Sequence, residues 1–503
     1  MIQGHIYDYV TRGSIIYTRN GYPAHMNQTP LVVDLDGTLV YTDTLLESLI
    51  MLIKHSPFVI FALPFWLLRG KAYMKRRLSN LVVPNPALLP YNLELVSWLR
   101  EQKDSDRELI LCTAADQRIA EGVASHLDLF SLVLASDGLR NMKGTNKCKA
   151  LMELFPTQGF SYVGDTRADL AIWQAASSSI VVSNSLALKN SARKVCPTEK
   201  EFSKPKVSLS GIARLLRVHQ WSKNLLLLVP AVAAHQIGQI DLIITLVLAF
   251  VSFSLCSSAV YIANDLIDLE NDRRHPRKRD RPFASGQISI ASTSVLFPLL
   301  LTLSAVLALK IGSGFAWALL SYFVLTCAYT VFLKRIVLLD CLVLAGTYTL
   351  RVIAGAAAIS MGVSFWILSF SVFLFLSLAY LKRFAELQEV ADENQTTSLH
   401  GRGYHHGDSQ FVQILGIVAG FISVLVLALY IDSTASAQLY RKPEIVWGAV
   451  VVLLYWVSWV WLKAYRGEMH DDPVVFAITD RVSLACGLLF GGIILLGTVG
   501  VSP

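Results

Sequence analysis

The sequence predicts two domains of different kinds: an α/β domain on a parallel sheet, then an all-α bundle that crosses a membrane nine times. Three observations carry this reading. Up to about residue 210, apolar strand patterns alternate with helical ones, as in a parallel sheet covered on both faces. Beyond that point, apolar runs of roughly 18–24 residues recur almost to the end of the chain, the length of a bilayer-spanning helix. The 503-residue chain is 53% hydrophobic and 16% charged, and its charges are concentrated outside those runs. The expected organisation is an N-terminal extension (1–26), an α/β domain (27–185), a linker (186–210) rich in Ser and Lys with Pro197 and Pro205, and a membrane domain (211–503).

Bulk composition excludes several classes. The formal net charge of +7 follows from Arg and Lys flanking the apolar runs, and no RNA- or DNA-reading motif is present, so no nucleic-acid partner is expected. Seven scattered cysteines without a CxxC pair argue against a disulfide framework and against zinc. The first 25 residues lack an apolar run, so no signal peptide is expected and the α/β half is placed in a reducing cytosol.

In the first half, Leu31-Val32-Val33-Asp34-Leu35-Asp36-Gly37-Thr38 is an apolar strand ending in two carboxylates and a glycine. It puts Asp34 and Asp36 at the carboxyl end of a strand, where open α/β sheets bind ligands. Further strands are expected at 109–113, 162–165 and 179–183, with helices over 92–103, 117–126, 147–155 and 169–176. The ordered set DxDGT, Thr113, Lys143 and Gly164-Asp165 with Asp169 resembles the haloacid dehalogenase (HAD) superfamily of phosphatases, with a Rossmann-like fold and a small helical cap. The resemblance implies that Asp34 is a nucleophile forming an aspartyl-phosphate and Asp36 the general acid/base. Thr113 and Lys143 would hold phosphoryl oxygens, and Asp165 and Asp169 would complete a Mg²⁺ site with Asp34 and the Asp36 carbonyl. Lys147 competes with Lys143 for its role; Lys143 is preferred because its distance to Asp165 fits the usual motif better. The segment at 58–68, FVIFALPFWLL, occupies the position of the cap. It is too short to span a bilayer, and either packs on its own domain or lies on a membrane surface.

In the second half, nine spans are expected at about 222–237, 240–262, 290–310, 314–333, 336–358, 364–382, 411–431, 445–463 and 482–500. The loops starting at 264, 334, 383 and 464 hold most of the Arg and Lys, which places them in the cytoplasm of an inner or plasma membrane, together with the α/β domain. Asn264, Asp265, Asp268 and Asp272 close the second span. On a continuous helix the three carboxylates share one face, and converging carboxylates beside arginines suit Mg²⁺ carrying a phosphorylated ligand.

This NDxxDxxxD motif and the nine spans resemble the UbiA superfamily of intramembrane prenyltransferases, whose aspartates coordinate Mg²⁺ on a diphosphate. Where that superfamily has a second aspartate motif, this chain has Lys382-Arg383-Phe384-Ala385-Glu386. The charge asymmetry suits a soluble diphosphate donor and a lipid monophosphate acceptor. The phosphoribosyltransferase branch of the superfamily has that division of labour, and several stretches, from Arg217–Asn224 to Asp480-Arg481, are similar to it. The resemblance implies transfer of 5-phosphoribose from phosphoribosyl diphosphate (PRPP) to a polyprenyl phosphate, followed by dephosphorylation in the HAD domain to polyprenyl-phosphoryl ribose. Asp265, Asp268 and Asp272 would hold Mg²⁺ and the diphosphate, positioned by Asn264 and contacted by Lys278, Arg279 and Arg281. Lys223, Lys334, Arg351 and Lys382 would orient the lipid phosphate; Arg351, inside a span, needs a partner such as Asp340 or a ligand. Two rival readings are an aromatic-acid polyprenyltransferase of the quinone type with an incidental HAD domain, and a non-enzymatic membrane carrier. A homo-oligomer is compatible with all three.

Overall fold

The computed structural model describes residues 28–156, 159–236, 239–276, 278–392, 403–469 and 473–499; the extension expected over 1–26 lies outside them. The chain forms two compact units. One comprises the described residues up to Gly211 together with Leu266–Ser292, the other Ile212–Asp265 and the described residues from Thr293 onward.

The first unit is organised by strand β1 (Leu31–Val33), all three residues of which are buried. It is followed by helices α1 (Thr44–His55), α2 (Leu63–Leu68), α3 (Lys71–Leu81) and α4 (Leu93–Asp104), then β2 (Leu109–Asp116), α5 (Gln117–Leu127), β3 (Leu132–Ser136), α6 (Thr145–Leu154), β4 (Ser161–Gly164), α7 (Leu170–Trp173), β5 (Ser178–Val182), α8 (Leu186–Val195) and β6 (Thr198–Phe202). All strand pairs are parallel, in the order β3-β2-β1-β4-β5-β6. Leu31 and Val33 face one apolar layer with Leu109, Leu111, Trp98 and Phe202, while Val32 faces the other with Ile110, Tyr162 and Trp173. That two-sided burial is why the strands read as continuous apolar runs. The order reverses between β1 and β4, which opens a crevice at their carboxyl ends.

The stretch expected to be a linker is a correction. Residues 186–202 form α8 and the edge strand β6, which pairs with β5 through Val182 and Phe202. Its sequence, Thr-Glu-Lys-Glu-Phe, is mostly polar because an edge strand turns one side to water.

Leu266–Ser292, which carries Asp268 and Asp272, also belongs to this unit. Arg273 Nη1 and Nη2 donate to the two carboxylate oxygens of Glu47 on α1, at 2.9 and 2.6 Å, and both side chains are almost fully buried. Thr42 donates to the same Glu47 at 2.6 Å, and Arg273 Nε donates to the Ala284 carbonyl. A bidentate guanidinium–carboxylate pair fixes orientation as well as distance, so Arg273 ties the short helix Leu269–Arg274 to α1 and to Ala284.

The second unit is helical. After α9 (Leu209–Leu215), the first span expected, 222–237, is not a continuous helix. It is a 3₁₀ segment (Val218–Leu228) running into the short α10 (Val229–Ala233), with Pro230 at its start. The broken segment lies against Gly355, where a Cβ would come within 2.1 Å of the Leu227 carbonyl oxygen; only glycine admits a backbone this close. Next come α11 (Ile240–Ile267), α12 (Leu269–Arg274, in the first unit), α13 (Thr293–Ile311), α14 (Ser313–Val331), α15 (Leu339–Ala358), α16 (Phe365–Asp392), α17 (Ser409–Ile431), α18 (Thr434–Leu439), α19 (Pro443–Tyr465), α20 (Pro473–Thr479) and α21 (Arg481–Val499). Among the described residues, eight helices are long and apolar enough to cross a membrane, against the nine expected. Within this unit Asp340 and Arg383 form a fully buried ion pair, extended by Tyr404, which donates to Asp340, and by Glu386, which accepts from Arg383.

Candidate functional site

Asp34 and Asp165 follow the adjacent central strands β1 and β4, and Asp169 caps the turn after β4. Among the described residues, these three are the group whose ligand atoms lie within 4.8 Å of one another. Asp169 is aimed by hydrogen bonds from the Asp165 and Thr166 N–H groups, at 3.1 and 2.9 Å, and from the Thr166 hydroxyl at 2.8 Å. Asp165 accepts from Thr38 at 3.1 Å. Gly37 has φ +75°, and a Cβ there would lie 2.4 Å from Asp165 Oδ2, so the glycine of the DxDG run lets the two loops meet.

Lys147 sits at the centre. Its Nζ lies 2.9 Å from Asp34 Oδ1 and donates to the Tyr162 hydroxyl at 2.9 Å. Lys143 is exposed and precedes the turn at Gly144, whereas Lys147, on the first turn of α6, is buried. The preference for Lys143 is therefore corrected: helix geometry carries the lysine four residues later into the crevice. Tyr162 bridges to Asp34 and Asp169 at 3.4 and 3.3 Å, and Lys204, just past β6, donates to Asp165 at 2.6 Å. Neither Tyr162 nor Lys204 stands out in the sequence; Lys204 lies in the stretch taken for a linker. Thr113, fully buried within β2, accepts from the Ala115 N–H at 3.0 Å.

Burial pushes the Asp34 carboxyl up to about 6, with the Lys147 charge pulling it back and Asp169 and Asp165 adding to the rise. Asp165 is also raised, by burial, against the pull of Lys204. Asp36 is pushed up to about 7 by burial and then by the negative charge of Asp43, against the N–H of Thr44, which donates at 2.9 Å. Asp36 thus carries an exchangeable proton near neutral pH, as a general acid/base requires. Lys75 reaches in from α3, donating to the Ala114 carbonyl at 2.6 Å and to Asn141 at 2.9 Å; burial lowers its pKa and the Asp36 charge raises it.

The NDxxDxxxD motif departs from a continuous helix. α11 ends at Ile267, Asp268 takes the N-cap position of α12, and Asp272 lies within α12. The unbroken helix on which the spacing argument rests is thus interrupted at Asp268. Asp265 is instead held by Arg217, whose guanidinium also lies over the Tyr261 ring at 4.9 Å. Asp272 accepts from Arg281 Nη1 at 2.6 Å. Lys278 and Arg279 are exposed on the same loop.

Arg351 does not pair with Asp340, whose carboxylate is taken by Arg383. It donates to Asn224 at 2.9 Å, to the Thr347 carbonyl at 2.6 Å and to the Tyr322 hydroxyl at 3.1 Å, and it lies against the rings of Tyr322, Phe253 and Tyr348. Neutral acceptors and aromatic faces thus satisfy an intramembrane cation without a carboxylate. Asn224 is fully buried and also donates to Ser254 at 2.9 Å; its polarity inside an expected span was the available signal. Lys223 is buried with its ammonium 5.5 Å from the Tyr348 ring centre. Lys334 and Lys382 are half-buried, in the turn after α14 and in α16.

Residues 224–498 match the model of the UbiA prenyltransferase family. The Sinorhizobium fredii protein y4nM is 35% identical over 92% of this chain and 89% of its own length, so that similarity extends through the α/β half. The nodulation protein NoeC of Azorhizobium caulinodans is 35% identical over 58% of this chain and 95% of its own. A decaprenyl-phosphate phosphoribosyltransferase of Mycobacterium tuberculosis is 33% identical over 57% of this chain and 93% of its own. With its match covering more than half of the sequence, this chain belongs to the UbiA prenyltransferase family.

Proposed function

We propose that the chain is a bifunctional membrane enzyme. Its membrane half transfers 5-phosphoribose from PRPP to a polyprenyl phosphate, and its α/β unit is a HAD-type phosphatase that then removes the 5-phosphate, giving polyprenyl-phosphoryl ribose. The observation that carries the transfer is the 33% identity to a decaprenyl-phosphate phosphoribosyltransferase over nearly all of that protein's length. The phosphatase reading is supported by Asp34, Asp165 and Asp169 converging beside buried Lys147 at the carboxyl end of the sheet.

Three converging carboxylates, Asp169 buried and Asp34 and Asp165 half-buried, offer the hard oxygen donors that fit Mg²⁺; burial raises Asp34 and Asp165, and the like charge of Asp169 adds to both rises. When bound, Mg²⁺ offsets the repulsion between a carboxylate and a phosphoryl group. Asp34 then attacks phosphorus and forms an aspartyl-phosphate as the ribose C5 oxygen leaves. Asp36 donates its proton to that oxygen and takes one from the water that resolves the intermediate. Lys147 and Thr113 hold the phosphoryl oxygens.

In the membrane half, a lipid phosphate oxygen displaces diphosphate at ribose C1. No protein base is needed, because the phosphate is already ionised at neutral pH. Asp265, Asp268 and Asp272, with Asn264, are the residues assigned to the Mg²⁺-diphosphate, and Lys278, Arg279 and Arg281 to its phosphates. Lys223, Lys334 and Lys382 are assigned to the lipid phosphate. Arg351 supports Asn224 and Tyr322. The distribution of basic loops supports a cytoplasmic position for the motif loops and the phosphatase.

The transfer is tested with the full chain in nanodiscs, given labelled PRPP, a polyprenyl phosphate and Mg²⁺. Label is expected in the lipid, and Asp265→Asn is expected to lower its appearance about 10²-fold or more. Prenylation of an aromatic acid from a prenyl diphosphate, with PRPP ignored, would contradict the reading.

A further inference from the structure

The segment between α1 and α3 presents an apolar face with nothing of its own unit against it. Phe58, Phe61, Phe65 and Leu68 are 79%, 71%, 69% and 85% exposed, and none of the residues of α2 is buried. Their spacing of three, four and three residues places all four on one side of a helical segment. Single exposed apolar residues are ordinary, but a contiguous row of large ones marks an interaction surface.

What surrounds the row identifies the partner. Lys54 and His55 end α1 on one side; Arg69 and Lys71, both exposed, follow Leu68 on the other. Arg69 and Arg77 each donate to the Tyr73 hydroxyl at 3.0 Å and lie 5.4 and 5.6 Å from the centre of its ring. An apolar row flanked by cations and a tyrosine is the composition of a helix lying in the headgroup region of an anionic bilayer. Five 3₁₀ residues and the six of α2 together reach roughly 19 Å, well short of a hydrocarbon core, which excludes a span. The same chain carries, among its described residues, eight helices of spanning length, so the segment is tethered to a bilayer.

We propose that Phe58, Phe61, Phe65 and Leu68 insert into the surface of an anionic phospholipid bilayer, with Lys54, Arg69, Lys71 and Arg77 at the headgroups. The hairpin of α2 and α3 then joins the membrane surface to the carboxylate crevice. Arg69 and Tyr73 stand at its lipid end, and Lys75, two residues beyond Tyr73 on α3, reaches Ala114 and Asn141 and feels the Asp36 charge. This gives the phosphatase a substrate at the lipid surface, a consequence that rests on the function proposed above; the insertion itself does not.

The test uses the full chain in nanodiscs of phosphatidylethanolamine and phosphatidylglycerol, with p-benzoyl-phenylalanine in place of Phe61 or, as a control, of exposed Met152 on α6. Illumination is expected to give a phospholipid adduct at position 61 and none at 152. A crosslink between two copies of the chain at position 61, or no lipid adduct there, overturns the proposal. In a second arm, Phe61→Glu with Phe65→Glu is expected to lower hydrolysis of a lipid-linked sugar phosphate by about tenfold or more while leaving p-nitrophenyl phosphate turnover unchanged. Equal hydrolysis of the lipid-linked substrate by this variant and the unaltered chain also overturns it. Absence of phosphatase activity from the unaltered chain would count against the function proposed above and leave the lipid adduct as the arbiter of insertion.

Discussion

Lys147→Ala is expected to lower phosphatase turnover by about 10²–10³, the usual effect of removing one preorganised charge from a transition state, whereas Lys143→Ala should change it only a few fold. Lys147 is buried and 2.9 Å from Asp34. Asp34 shares its pocket with Asp165 and Asp169, and the lysine is the group that pulls the raised Asp34 carboxyl back down. Without it, the nucleophile is held closer to its neutral form and the incoming phosphoryl group loses a cation. Single-turnover hydrolysis of p-nitrophenyl phosphate by the full chain, with transfer from PRPP followed in parallel, measures both effects. Transfer should be unaffected. A larger loss from Lys143→Ala than from Lys147→Ala would restore the assignment preferred from the sequence.

Asp340→Ala is expected to destabilise the membrane half by about 3–5 kcal/mol, because it leaves a buried guanidinium short of its counter-ion. Asp340 and Arg383 are both fully buried, and Glu386 is a partly exposed partner on one side only. The same substitution removes the oxygen acceptor of the Tyr404 hydroxyl, which is left with the Leu338 N–H that donates to it and the weak Cys341 thiol, and that lost acceptor adds its own cost. Replacing both charges, Asp340→Ala with Arg383→Met, should recover much of the loss, since the desolvation of two ions disappears with them. Thermal unfolding in detergent distinguishes these outcomes; an Asp340→Ala protein as stable as the unaltered chain would show that the pair contributes nothing.

Local signals in this chain reach the structure intact, and long-range ones do not. β1 was legible because an apolar run ending in Asp-x-Asp-Gly is short-range information, and Asp165 and Asp169 were legible because a Gly-Asp turn after a strand is equally local. β6 was not, because an edge strand needs only one apolar side and Thr198–Phe202 offers little more than Phe202. The choice between Lys143 and Lys147 depended on where α6 begins: Lys143 precedes Gly144, with its φ of +57°, and Lys147 lies on the first turn after it.

In the membrane half, hydropathy located the spanning helices well, since each signal is a long composition average. It failed at 222–237, where the residues are apolar but Pro230 and the approach of Leu227 to Gly355 replace a continuous helix with a 3₁₀ segment. Spacing also did not show that the helix carrying Asp265 stops at Ile267, with Asp268 at the N-cap of α12 and Asp272 inside it. Partners far apart in sequence were not recoverable at all. Arg351 finds Asn224 and Tyr322, and Asp340 finds Arg383, through packing that no pattern within one helix encodes.

The central claim is that one chain performs two consecutive steps, and the mass of its lipid product tests it most directly. The full chain in nanodiscs, given PRPP, a polyprenyl phosphate and Mg²⁺, is predicted to yield polyprenyl-phosphoryl ribose. The Asp34→Asn protein is predicted to accumulate the same lipid heavier by one phosphoryl group. Identical, fully dephosphorylated product from both proteins would contradict the coupled scheme.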